Sequence, residues 1–196
     1  MLKIILASQS PRRKLLLTQL GLKFDVIPSL TEEVITSNNP TSIVQNLSFK
    51  KSFEVSKKVD NAYIIGADTI VVFENKILGK PRNTLDACTM LSMLSGKTHQ
   101  VFTGVSIQKK MNGEIGNHYQ FIEETNVTFS TLSDNEIHSY IKTGSPMDKA
   151  GAYGIQDDWG AVFVKEIKGD FYNVVGFPIN RFYQEMKKFE PNMFPQ

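Results

Sequence analysis

The stretch "LKIILASQSPRRKLLL" at residues 2–17 leaves the start of this chain little conformational choice. Residues 2–7 form a short apolar run with two isoleucines, ended by small polar residues, which reads as a buried strand. Pro11 suits a first helical position, and Ser10 before it can cap the free amides. Leu15, Leu16, Leu17 and Leu20 then supply an apolar face, and Gly21 ends the helix just past its last turn. The result is a strand, a serine-rich turn and a helix. Arg12 and Arg13 sit against this grain, because a helix N-terminus is already positive. Either both arginines point into water, or an anion sits among them.

The rest of the chain alternates in the same way. Residues 22–30 read as a second strand. "TSIVQNLSFKKSFEVSKK" reads as a helix capped by Thr41 or Ser42, with Ile43, Leu47 and Val55 inward. "AYIIGADTIVVFENKIL" reads as a strand, a break at Gly66–Thr69 and a second strand segment, followed by a turn at Glu74-Asn75-Lys76. "NTLDACTMLSMLSG" is a helix capped by Asn83 or Thr84 and closed by Gly96. Strands are expected at 99–109, 117–130 and 161–168, with helices at 133–143 and 178–188. With no internal repeat or linker, residues 1–196 read as one α/β domain around a mixed sheet.

Charge and composition exclude several classes. The net charge is +2, from 22 basic and 20 acidic residues, with lysine pairs dispersed along the chain. A nucleic-acid binder would need a basic stripe instead. The apolar runs fall short of the roughly 18 residues that span a bilayer, and the start of the chain lacks the features of a secretory signal. A single cysteine, Cys88, cannot form an internal disulfide, so a cytoplasmic location is expected. "SGKT" at 95–98 ends like a phosphate-binding loop, but Leu91 stands where that loop needs glycine. His99, His118 and His138 lack metal-site spacing, and no G-x-S-x-G elbow occurs.

What remains is a concentration of anion-binding features. Amides at the start of a helix, with Ser8 and Ser10 beside them, make a ready phosphate site. Guanidinium groups at Arg12 and Arg13 would grip phosphate oxygens in a bidentate fork. Asp68, in "IIGADTIV", follows an apolar run, where ligand sites gather in α/β sheets. "GKPRN" adds Lys80 beside a proline, and Lys51 lies on the preceding helix. Glu32-Glu33 offers hard carboxylate oxygens suited to Mg²⁺ or Mn²⁺. "DKAGAYGIQDDWG" combines Gly151, Gly154 and Gly160 with small alanines, so a flat ligand could approach its backbone, and Gln156 could read a base edge. Each of these segments also has a plain structural reading as a turn or tight loop.

Taken together, "LASQSPRRKLL", "GADTIVV", "LGKPRN", "LSGKTHQVFTGV", "DKAGAYGIQ" and "YNVVGFP" resemble the Maf-type nucleoside triphosphate pyrophosphatases, the family historically named for septum formation inhibition. The blocks span nearly the whole chain in the family's order. The resemblance implies an elongated, two-lobed α/β domain around a long, twisted mixed sheet with a deep central cleft. It implies hydrolysis of a nucleoside triphosphate between the α and β phosphates, supported by Mg²⁺ or Mn²⁺. By motif, Asp68 would be the general base, and Ser8, Ser10, Arg12 and Arg13 would line the phosphate site. Lys51 and Lys80 would add charge, and Glu33 and Asp68 would be metal ligands. In "FKKS" the choice of Lys51 over Lys50 depends on a gapless match from Leu47.

Arg12, Thr69 and Gln156 match the branch acting on dTTP and UTP rather than the branch acting on 7-methyl-GTP. A glutamine can pair with the imide edge of thymine or uracil. A homodimer is the family expectation. The alternative function is a nucleotide-binding regulator of cell division whose catalysis is incidental.

Overall fold

β1 (Lys3–Leu6) is paired in parallel with β2 (Asp25–Val26) on one side and β3 (Ala62–Phe73) on the other. In the computed structural model, which describes residues 2–35, 37–156 and 158–194, a seven-stranded mixed sheet runs in the order β2-β1-β3-β5-β6-β7. β5 is Thr98–Met111, β6 is Glu114–Phe129 and β7 is Val164–Lys168, the last antiparallel to β6. β4 (Lys76–Leu78) pairs antiparallel with β3. The helices are α1 (Pro11–Gln19), α2 (Pro40–Ser56), α3 (Thr84–Leu94), α4 (Asp134–Lys142), α5 (Asp158–Phe163), α6 (Phe171–Val175) and α7 (Ile179–Phe189). Among the described residues, no helix is long and apolar enough to cross a membrane.

The residues group into two compact units. The first comprises 1–68, 103–123 and 176–196, and the second 69–102 and 124–175. β3, β5 and β6 each contribute residues to both.

In the first unit, α1 starts as its sequence dictates: Ser10 caps the Arg13 amide, Pro11 takes the first position, and Gly21 has φ 71°. Its buried face is narrower than expected. Leu16 and Leu17 are buried, whereas Leu15 is 51% exposed. α2 begins earlier than Thr41, because Asn39 provides the cap and Pro40 the first position. Ile43, Leu47 and Val55 are buried as anticipated. The expected strand at 22–30 shrinks to Asp25–Val26, since only Ile5 and Leu6 of β1 face it in register.

The expected break at Gly66–Thr69 does not exist. β3 runs unbroken through it, and Gly66 serves a different purpose. A Cβ there would lie 2.4 Å from the Ser48 carbonyl oxygen and 2.7 Å from the Ser52 nitrogen. Gly104 on β5 does the same beneath Val44, where a Cβ would meet the carbonyl oxygen at 2.3 Å. Both glycines let α2 lie directly on the sheet, and Ser48, Ser52 and Ser56 are the small buried residues of its contact face. Hydroxyls buried there need partners. Ser52 Oγ has Ser106 Oγ at 2.9 Å and accepts from Gln108 Nε2 at 3.0 Å.

The second unit packs Val71, Leu78, Leu91, Leu94, Val101, Val127, Phe129, Tyr140 and Phe163 into one apolar core. α3 is capped by Asn83, and α4 opens with a reciprocal capping box between Ser133 and Glu136. One expectation at its end is corrected. Residues 161–163 belong to α5, and β7 begins only at Val164, because Gly160 packs against Gly154 and turns the chain into a helix first. Residues 171–175 form α6, with Asn173 anchoring them to the Val101 carbonyl and Thr125 Oγ1.

His99 is buried in this unit, and burial pushes its imidazole down from 6.5 to about 4. An unfolded chain therefore takes up this proton near 6.5, and the folded chain only near 4. Stability should fall as pH drops between those values and level off below them, by up to about 3 kcal/mol. Urea melts from pH 7 to 4 should show that slope in the natural sequence and a flatter one in His99→Gln.

Candidate active site

The first unit brings together six of the expected residues, Ser8, Ser10, Arg13, Glu33, Lys51 and Asp68. β1 delivers the chain to Ser8, and pairing continues one residue past the strand through the Ala7 amide and Ile65 carbonyl, 2.8 Å. Ser8 is buried, and its Oγ accepts from the Ser10 amide at 3.2 Å and from Arg13 Nη1 at 3.2 Å. Arg13 Nε donates to the Gly176 carbonyl at 3.0 Å. Arg13 therefore folds back over the serine turn instead of pointing into water, so the two readings of this arginine separate. Burial lowers its pKa, the Arg12 charge adds to that, and Asp68 and Glu33 oppose it.

Asp68 lies within β3 rather than at a strand end, and its side chain is 7% exposed. Lys51 projects from α2 and donates to Asp68 Oδ1 at 2.5 Å and to Glu33 Oε1 at 2.7 Å. The glycine seat at Gly66 sets this pair, because Ser52 touches that seat and Lys51 is its neighbour. Lys50 is exposed, and Lys51 is the lysine that meets the aspartate. Burial raises the Asp68 carboxyl above its ordinary value, outweighing the nearby Lys51 and Arg13 cations, while Glu33 adds to the rise. A buried carboxyl drawn upward beside fixed cations is an arrangement that proton-transfer sites share with structural ion pairs.

Glu33 and Asp68 are also the two carboxylates expected at a metal. Among the described residues no group of three or more His, Cys, Asp or Glu side chains could hold an ion. These two nevertheless converge on one cationic centre, the Lys51 ammonium, within hydrogen-bonding distance. Hard oxygens from two carboxylates suit Mg²⁺, which keeps several waters and binds through one or two carboxylates plus phosphates. The donor set fits such an ion.

Arg12 is partly exposed, and its charge is felt by Arg13. Thr69, Lys80 and Gln156 belong to the second unit. Thr69 is half-buried, and Lys80 and Gln156 are exposed. Lys80 follows Gly79, whose carbonyl accepts from the Gly151 amide at 3.0 Å. Asp157 of the glycine-rich stretch lies outside the described residues.

Two contributors escaped the sequence reading. The Gly176 carbonyl carries no side-chain signal, although it lies in the quoted block "YNVVGFP". Gly66 did carry a signal, but glycine inside a strand pattern marks a close backbone approach as readily as a break.

Residues 3–189 match the family of Maf-like proteins. A relative from Agathobacter rectalis named dTTP/UTP pyrophosphatase is 48% identical over 204 residues, covering 96% of this chain and 98% of its own. A protein of that name from Lachnoclostridium phytofermentans is 48% identical over the full length of both chains, and one from Bacillus anthracis is 47% identical over 96% of both. A crystal structure of a nucleoside-triphosphatase / dITP/XTP pyrophosphatase from Mycobacterium abscessus aligns over 97% of both chains at 12% identity, with a TM-score of 0.48. On the matched length and these identities, the chain belongs to the Maf-like protein family.

Proposed function

We propose that this chain is a nucleoside triphosphate pyrophosphatase, with dTTP and UTP as its favoured substrates, converting each with water into the monophosphate and pyrophosphate. The observation that carries the reading is the buried Asp68 carboxylate, bonded to Lys51 and felt by the Arg13 charge, in a chain nearly half identical to proteins named for that reaction.

Asp68 accepts the proton of the attacking water, which its upward-shifted carboxyl suits. Arg12, Arg13, Ser8, Ser10 and the free amides of α1 bind phosphate oxygens, so the two arginines at a positive helix end answer an anionic ligand. Lys51 and Lys80 add positive charge for the charge that develops as the pyrophosphate leaves. Gln156 reads the imide edge of thymine or uracil, donating and accepting through one amide. Thr69 is the third residue that favours the dTTP/UTP branch.

Glu33 and Asp68 hold a divalent ion, Mg²⁺ or Mn²⁺, in this reading. When bound, the ion neutralises phosphate charge and lowers the barrier to water attack. The protein works in the cytoplasm, in keeping with its lone cysteine, and as a homodimer.

The test separates products. Purified protein with Mg²⁺ or Mn²⁺ should release pyrophosphate with dTMP from dTTP and with UMP from UTP, and should act weakly on 7-methyl-GTP. Orthophosphate as product would place cleavage at the terminal phosphate and overturn the pyrophosphatase reading, and a folded protein that turns over none of these would favour the nucleotide-binding regulator. EDTA should abolish the reaction, and added Mn²⁺ or Mg²⁺ should restore it. Activity that survives chelation would remove Glu33 and Asp68 as metal ligands.

A further inference from the structure

The loop at 149–156 is strained, and it is pinned from several directions within the second unit. Gly151 has φ 69°, and the next residue, Ala152, has φ 60°. Alanine in that left-handed region is strained, and such backbone persists only where its surroundings over-determine it. The surroundings here do so. The Gly151 amide donates to the Gly79 carbonyl at 3.0 Å, and the Ala152 amide to the Lys149 carbonyl at 3.1 Å. A Cβ on Gly151 would meet Val71 at 3.0 Å. The Gly154 amide donates to the buried Tyr140 hydroxyl at 3.1 Å.

A buried side-chain contact joins this loop to β5 through His99 and Tyr153. His99 Nε2 and the Tyr153 hydroxyl are 2.7 Å apart, with both residues buried. Their rings stack edge-on with Phe129, at centroid distances of 5.0, 5.3 and 4.7 Å. Ile155 is buried as well, and Gln156, the next residue, is exposed. The loop thus turns a buried, hydrogen-bonded anchor into an exposed amide three residues later. The proposed chemistry uses neither His99 nor Tyr153.

We propose that His99 and Tyr153 are positioning residues for base selection, their hydrogen bond fixing the loop that presents the Gln156 amide. The proposal rests on the reading of Gln156 as the residue that contacts the base. A base contact made equally in the bound substrate and the transition state raises KM when weakened and leaves kcat in place. The pair is therefore expected to act on KM and on substrate preference, not on turnover.

Tyr153→Phe removes one hydroxyl and keeps the ring. It should raise KM for dTTP and UTP about tenfold with kcat within about twofold. It should also reduce the preference for dTTP over dCTP and GTP in kcat/KM by about the same factor. His99→Gln, which keeps an amide near the place of Nε2, should retain most of the preference, and His99→Leu should lose it. Both comparisons are read beside the melting temperature of each variant. If Tyr153→Phe and His99→Leu lower the melting temperature or kcat while the nucleotide preference stays unchanged, the pair is purely structural and the proposal is overturned. Should Tyr153→Phe fail to fold, the comparison of His99→Gln with His99→Leu decides alone. Gln156→Glu is assayed in parallel. An unchanged preference there sinks the base-contact reading and this proposal with it, while a changed one beside an unchanged Tyr153→Phe sinks only the proposal.

Discussion

Replacing Asp68 with asparagine should leave a folded protein that turns over dTTP at least about a hundredfold more slowly, the usual range for losing a general base being about 10²–10⁴. The two halves of this expectation have one cause. Burial raises the Asp68 carboxyl above its ordinary value of 3.8, even with Lys51 at 2.5 Å and Arg13 nearby. The folded state therefore holds the Asp68 proton more tightly than the unfolded chain does. Stability falls as pH rises from the ordinary value through the raised one, so ionising the buried carboxyl costs the fold something. Asparagine keeps the shape without the charge, so the variant should melt at the same temperature or higher at pH 7. A residue that costs the fold something at working pH is retained for its chemistry. Unchanged turnover in Asp68→Asn would remove this carboxylate from the mechanism. A melting temperature several degrees lower would show instead that the Lys51–Asp68 pair supports the fold.

Gly66→Ala should be strongly damaging to stability. The added methyl would lie 2.4 Å from the Ser48 carbonyl oxygen and 2.7 Å from the Ser52 nitrogen, both of them helix backbone that cannot swing aside. Overpacking of this kind typically costs about 1–3 kcal/mol, and contacts this short place Gly66 at or beyond the upper end. Gly104→Ala should behave similarly, with Val44 backbone at 2.3 Å, while Gly79→Ala, with nothing within 4 Å, should be neutral in urea melts. Folded Gly66→Ala protein should also be less active than its stability loss explains. Moving α2 off β3 draws Lys51 from Asp68, and a displacement of about 1 Å at a reacting centre can cost about a hundredfold in rate. Wild-type stability in Gly66→Ala would mean that α2 is not seated on β3 through this glycine.

Much of the candidate site was legible before any coordinates. Ser8, Ser10 and Pro11 announced a strand–turn–helix unit, because capping and proline preferences act over a few residues. Asn83, Gly21 and Gly96 marked helix limits for the same local reason. Other points were wrong or open. Residues 22–30 look like a strand, but a strand exists only where a partner lies in register, and β1 offers two residues. Residues 171–175 wind into a helix, and its Asn173 is bonded to β5 and β6 residues far away in the chain.

The sequence by itself determined the α/β class, the start of α1, the chemical inventory of the site and the family motifs, since each depends on residue type and short spacing. Only the tertiary structure decided which lysine meets Asp68, that Arg13 closes on Ser8 and the Gly176 carbonyl, and that Asp68 is buried within an unbroken strand. The physical reason is reach. Helix rotation on the sheet, the approach of a distant carbonyl and the desolvation of a carboxylate are set by contacts across 17 to 163 positions of chain, which no local pattern encodes.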